Sequence, residues 1–200
     1  MVNTVFVRTY CAPAFNKKEI FRYAGVRGDA PELDALLREW LDEVETKLVY
    51  RVCYREFAIS RYDSYLDLDF IKTESVGLKK NLLGCESVVL FAATIGMEID
   101  RLIARYSTVS PTKSLLLQAI GAERIESLCD AFCREMGEGK AKIGLKTRPR
   151  FSAGYGDFPL ETQKQIFAVL DCPRKIGLTL NQSLLMSPSK SVTAIIGVGK

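Results

Sequence analysis

Residues 86–136 read ESVVLFAATI (86–95), GMEIDRLIARYS (96–107) and TVSPTKSLLLQAIGAERIESLCDAFCREM (108–136). The first piece is a continuous apolar run of strand length, which predicts a β-strand buried on both faces. Gly96 lets the chain turn after it, and a helix follows. Ser110-Pro111 then supplies a cap and a first-turn proline for a second helix. Gly121, Ile125, Leu128, Phe132 and Met136 recur along that helix at the spacing of one face. The helix is predicted to run to Met136, with Gly137 as its stop. One strand followed by two helices is not a βαβ repeat. The rest of the chain decides between a doubly wound and an antiparallel sheet.

Working outward, the N-terminal side holds a short opening strand and a brief helix, KKEIFRYAG, capped by Asn16 and stopped by Gly25. Gly28-Asp29-Ala30-Pro31 starts a longer helix, with Leu33, Leu36, Leu37, Trp40, Leu41, Val44 and Leu48 on its apolar face. Residues 47–59 alternate roughly and are β-branched and aromatic, a strand pattern. LDLDFIKT (66–73) alternates cleanly and predicts another, and residues 79–83 a short helix ended by Gly84. On the C-terminal side, 137–159 reads as loop and 160–170 as helix. IGLTLNQSLLM and KSVTAIIGVGK read as a closing strand pair around Ser187-Pro188. Strands and helices do not alternate regularly. The expectation is an α+β fold with an antiparallel sheet and flanking helices, one domain over 1–200.

Among 200 residues there are 28 basic, 24 acidic and no histidine, so the formal net charge is +4. Without histidine, a Ser-His-Asp triad, a Cys-His dyad and every His-ligated metal or haem site are excluded. The six cysteines form no C-x-x-C and lie mostly in apolar runs, which favours reduced structural thiols in a cytoplasmic protein. Cys129 and Cys133 read as core rather than metal ligands, and no metal site is expected. The N-terminus lacks the pattern of a secretory signal. No apolar run approaches the roughly 20 residues needed to cross a bilayer, so no membrane association is expected.

Three glycine pairs fail as phosphate or dinucleotide loops. Gly137-Glu-Gly139-Lys140 has Ala141 where a magnesium-binding hydroxyl belongs, and Gly154-Tyr-Gly156 and Gly197-Val-Gly199 lack a third glycine. The basic run Lys140, Lys142, Lys146, Arg148 and Arg150 next to Phe151 and Tyr155 admits single-stranded nucleic acid. Five charges on a near-neutral chain fit a solvated loop better. Glu123, Glu126 and Asp130 share a helix face, either as a solvated acidic surface or as carboxylates lining a cleft. The richest stretch is RPRFSAGYGDFP (148–159). Arg150 offers a bidentate clamp for a carboxylate and Tyr155 an aromatic face with a hydroxyl. Gly154 permits close backbone approach, and the backbone at Ser152 can read a ring edge.

RFSAGY (150–155) resembles the R-x-x-x-G-Y motif of the activation domain of vitamin B12-dependent methionine synthase. In register with it, FRYAGVRGD (21–29), VVLFAATIGMEIDRLI (88–103), GYGDFPLETQKQIFAVL (154–170) and LTLNQSLLMSPSKSVTAIIGVG (178–199) resemble the short, free-standing form of that domain. The resemblance implies a C-shaped α+β domain that binds S-adenosylmethionine (AdoMet) and serves as an accessory, with no catalytic residues of its own. Arg150 matches the arginine expected to hold the methionyl carboxylate, and Ser152 the position whose backbone meets adenine. Gly154 and Tyr155 match the Gly-Tyr pair. The run Leu115-Leu116-Leu117-Gln118 places Glu126 as a candidate for the ammonium or sulfonium side, with Asp130 beside it. The fused enzyme has prolines where this chain has Ala153 and Gly156.

The implied partners are a cobalamin-binding methionine synthase, which carries the corrin, and a flavodoxin-type electron donor. The implied process is reductive methylation, which reactivates the synthase for methionine biosynthesis. A corrin-free chain without histidine suits that division of labour. The alternatives are an AdoMet-binding adaptor for a different corrinoid methyltransferase, or a non-catalytic interaction module.

Overall fold

The computed structural model describes residues 4–28 and 31–200; the helix-start residues Asp29 and Ala30 lie outside them. In chain order the elements are β1 (Phe6–Tyr10), α1 (Lys17–Tyr23), α2 (Pro31–Glu45), β2 (Tyr50–Ala58), β3 (Ser60–Arg61), β4 (Leu66–Asp67), β5 (Lys72–Thr73) and α3 (Val76–Asn81). They continue with β6 (Cys85–Thr94), α4 (Glu98–Tyr106), α5 (Pro111–Ala141), β7 (Lys146–Thr147), α6 (Gln163–Leu170), α7 (Cys172–Ile176), β8 (Thr179–Leu180), β9 (Met186–Ser187) and β10 (Ser191–Gly199).

The main sheet has the order β1-β2-β6-β10-β7, and every pairing is antiparallel. The α+β expectation holds. β6 is central, and its alternation builds two cores. Val89, Phe91 and Ala93 face a core closed by α1, α2, α4 and α5. Val88, Leu90 and Ala92 face a second core closed by α3, α6 and α7. Each large side chain buried there contributes about 1.5–3 kcal/mol, so this one strand carries a large share of the packing. No helix among the described residues is long and apolar enough to cross a membrane.

Several boundaries differ from the sequence reading. α5 passes through Gly137 and Gly139 and ends at Ala141, because neither glycine takes a positive φ. The stop is Gly144, at φ 75°, where Gly144 N donates to Ala141 O (3.0 Å) and Leu145 N to Lys140 O (3.0 Å). Residues 66–73 are not one strand. Asp69 adopts φ 70° and Asp67 Oδ1 accepts its N–H (2.9 Å), so the chain folds back as the β4–β5 hairpin. The closing segments do not pair with each other. β8 and β9 form their own hairpin, while β10 crosses to lie between β6 and β7.

The far end of β10 needs glycine for a different reason. A Cβ on Gly199 would sit 2.9 Å from Cys85 Cα and closer still to Gly84 O, and one on Gly197 would meet Cys85 Sγ and Leu82 Cδ2 at 2.7 Å. The two glycines that resembled a dinucleotide loop are therefore close-approach positions at a bulged strand end.

Candidate functional site

The site forms where α5 passes the β7 edge of the sheet. After β7, Arg148 N donates to Gly197 O (2.8 Å), and Phe151 exchanges both backbone bonds with Ile195 (2.9 and 2.8 Å). Residues 146–151 thus run along β10 in nearly extended form. Phe151 turns into the second core, and Arg150 reaches α5.

There Arg150 meets the two acids that helical spacing had placed on one face. Nη1 donates to Asp130 Oδ1 at 2.6 Å, and Nη2 forms a close bond with Glu126 Oε2. Burial alone would lower the Arg150 pKa; Cys129, Asp130 and Glu126 together hold it above the usual range. The guanidinium stays charged at every working pH. Cys129 and Cys133 lie beneath it, and burial pushes both thiols upward, so they sit as neutral packing groups. Among the described residues no group of three or more His, Cys, Asp or Glu is placed to hold a metal. Beside the triad an open groove of about 560 Å³ is lined by Asp130, Cys133, Arg134, Thr147, Arg148, Pro149, Arg150 and Ile196.

Ser152 to Phe158 form a tight turn at the end of the same segment. Tyr155 N donates to Ser152 O (3.2 Å), Gly154 N to Phe158 O (2.8 Å) and Phe158 N to Tyr155 O (3.1 Å). Gly154 takes φ 88°, and a Cβ there would press on Leu160 at 3.0 Å. The Tyr155 ring stands edge-on to Phe151 at 5.5 Å and is 69 % exposed. Among the described residues the Ser152 N–H has no protein acceptor. Arg150, Glu126 and Asp130 are therefore in contact. Ser152, Gly154 and Tyr155 share the adjacent turn, with Tyr155 packed on the side of Phe151.

Asp157 fixes the turn, a role that no motif signals. Its carboxylate accepts from Ser75 Oγ (2.6 Å), Val76 N (2.6 Å) and Gly77 N (3.1 Å) at the start of α3. The Ser75 bond, with the Val76 and Gly77 amides, holds its pKa below the ordinary aspartate value. A depressed folded-state pKa means stability that is present above the unfolded value and lost as pH falls through the folded one. Asp157→Asn is expected to flatten the acid limb of the stability–pH curve below about pH 4, read by urea denaturation at a series of pH values. An unchanged acid limb would rule this anchor out.

Two sequence-level groupings are corrected. Glu123 does not share a solvated acidic face: it is 2 % exposed and pairs with Arg124, itself 1 % exposed. The basic run is also divided. Lys140, on α5, pairs with Glu56 on β2 (2.7 Å), while Arg150 pairs with Glu126 and Asp130.

No protein-family model matches the sequence, and no curated protein matches it. Among solved structures, the crystal structure of the MetH reactivation domain bound to AdoHcy matches with a TM-score of 0.72 at 15 % identity. The match covers 97 % of this chain and 78 % of that one. The chain has the fold of that reactivation domain.

Proposed function

We propose that this chain is an AdoMet-binding activation subunit for a cobalamin-dependent methionine synthase. The observation that carries the reading is Arg150 held between Glu126 and Asp130 at the wall of an open groove. An α-amino-acid head group is a zwitterion, and this triad offers both complements. The planar guanidinium takes the carboxylate in two parallel bonds. A carboxylate released from Arg150 then takes the ammonium, with the sulfonium charge facing the same acids. In this reading Tyr155 and the Ser152 backbone, on the turn that follows the groove wall, take the adenosine end. The solved structure sharing the fold has AdoHcy bound, which supports the ligand class.

In this reading the corrinoid belongs to the partner, where it would take one electron from a flavodoxin-type donor and then the methyl group of AdoMet, leaving AdoHcy on this chain. This chain's own residues bind and orient AdoMet. The absence of histidine agrees with that division. Titration calorimetry with AdoMet, alone and with the purified synthase, is the test. Saturable heat is expected, together with recovery of methylation activity by synthase trapped as cob(II)alamin. No heat at millimolar AdoMet under either condition would overturn the proposal. Activity restored only to another corrinoid methyltransferase would favour the adaptor alternative.

A further inference from the structure

The main sheet ends on two unlike edges. β7 is two residues long and lies beside the ligand groove. β1, at the opposite edge, is five residues long, with Phe6 46 % and Val7 41 % exposed. β1 is bonded to β2 on one side only. Among the described residues no group outside β2 takes up the backbone N–H and C=O groups of residues 6–10. Proteins guard such an edge with charges, prolines or bulges. Residues 4–10, TVFVRTY, contain no proline and one charge, Arg8, and Glu135 of α5 lies 3.7 Å from that guanidinium. The register against β2 runs unbroken from Phe6↔Tyr54 to Tyr10↔Tyr50, so no bulge turns the edge away. An apolar edge without these guards is a template for a further strand.

The residues of the edge select which strand fits. Phe6 stacks on Tyr54, and Arg8 and Tyr10 reach Glu135, so residues 6, 8 and 10 face α5. Val5 packs on the second core, so residues 5, 7 and 9 face the other way. An antiparallel second copy of β1, with the two-fold axis at Val7, pairs residues 4–10 throughout. On the α5 side, Phe6 of each copy then lies opposite Arg8 of the other, a cation–π pair made twice. On the opposite side Val7 meets Val7 and Val5 meets Thr9, cross-strand pairs of β-branched side chains. No like charges stand opposite each other. An axis at Arg8 would oppose the two arginines, and an axis at Phe6 would leave Thr9 and Tyr10 unpaired. The edge is complementary to itself in one register, which is what an isologous interface requires.

We infer that two copies of this chain pair through β1, with Val7 on the two-fold axis, and join their five-stranded sheets into one continuous antiparallel sheet. The inference stands apart from the ligand reading, because the groove beside β7 is at the far edge and stays open in both copies. One strand pair buries less than the roughly 1,000 Å² of a tight interface, so the dimer is expected to dissociate on the order of tens of micromolar.

Sedimentation velocity of the full chain, from about 1 to 500 μM, is the test. A shift from monomer to dimer is expected across that range. Val7→Lys and Val7→Glu each set like charges on the axis, and each is expected to weaken self-association at least tenfold. An equimolar mixture of the two variants is expected to recover the dimer as a heterodimer. Thermal melts check that both variants fold. Hydrogen exchange of the wild type reads the edge without any substitution: the β1 amides not bonded to β2 are expected to gain protection as concentration rises. A chain that stays monomeric at every concentration overturns the inference. A dimer indifferent to Val7→Lys, or β1 amides whose exchange ignores concentration while the dimer forms, places the contact elsewhere and also overturns it.

Discussion

Glu123→Ala is expected to destabilise the protein by about 3–5 kcal/mol, because it leaves the Arg124 guanidinium buried without its counter-charge. The pair is bidentate, with Arg124 Nε to Glu123 Oε2 at 2.6 Å and Nη2 to Oε1 at 2.8 Å. Neither side chain is more than 2 % exposed. The same two residues hold the segment that leads into α1. Arg124 Nη1 donates to Pro13 O (2.6 Å), and Glu123 Oε1 accepts from Asn16 N (3.0 Å) and Ser127 Oγ (2.6 Å). Asn16 in turn caps α1 through Lys18 N and Glu19 N. Loss of Glu123 therefore removes the Asn16 docking bond of the N-terminal segment as well as stranding a charge. At roughly 2–4 °C per kcal/mol for a domain of this size, the melting temperature is expected to fall by about 6–20 °C. Glu123→Leu combined with Arg124→Met is expected to recover the part of that loss due to the stranded charge, but not the part due to the Pro13 O and Asn16 N bonds, which an apolar pair leaves unmade. A Glu123→Ala variant within 0.5 kcal/mol of wild type in urea denaturation would contradict this account.

That pair also marks where sequence reasoning ends. Neighbours at i and i+1 on a helix do not normally face each other, and the rule places Glu123 with Glu126 and Asp130. The pairing arises because the 13–16 segment lies over α5 and seals both side chains, a contact separated by more than a hundred residues. What depends on local pattern was legible. The β6 strand, the Asn16 and Ser110 caps and the α5 apolar stripe are all where composition and spacing put them. Gly25, Gly84 and Gly96 take positive φ where the pattern puts a stop or turn; only the α5 stop is misplaced, at Gly144 rather than Gly137, because a helix tolerates glycines at ordinary φ when its face is packed. The short hairpins were illegible because each strand is only two residues long and the turn lies in residues that alternate like a strand. Within the site, the motif segment and the i, i+4 acids were each readable. Their meeting was not, since it depends on the register of residues 146–151 against β10.

Arg150→Ala is expected to weaken AdoMet binding by roughly 30-fold or more. Truncating one partner of a hydrogen-bonded charge pair costs about 2–5 kcal/mol, and 1.4 kcal/mol is tenfold. The variant is expected to fold, because Glu126 and Asp130 are 41 % and 64 % exposed at the side chain and are solvated once Arg150 is gone. Arg150→Lys keeps the charge but loses the fork, so it is expected to recover only part of the affinity. The acids carry the sharper test, because two roles for them predict opposite signs. Without ligand they occupy the guanidinium, and any incoming carboxylate must displace one of them. If competition were their whole effect, Glu126→Gln with Asp130→Asn would tighten AdoMet and AdoHcy alike. If they also face the ligand's cationic side, the double variant loses attraction for AdoMet, which carries a sulfonium charge, more than for AdoHcy, which does not. Coulomb attraction at a few ångströms in a half-exposed groove outweighs one surface ion pair, whose value is about 0–1 kcal/mol. The double variant is therefore expected to bind AdoMet at least fivefold more weakly, with a smaller loss for AdoHcy. Calorimetric titration of both ligands against wild type and the double variant reads this directly. Tighter binding of both would remove Glu126 and Asp130 from the ligand set while leaving Arg150 in it.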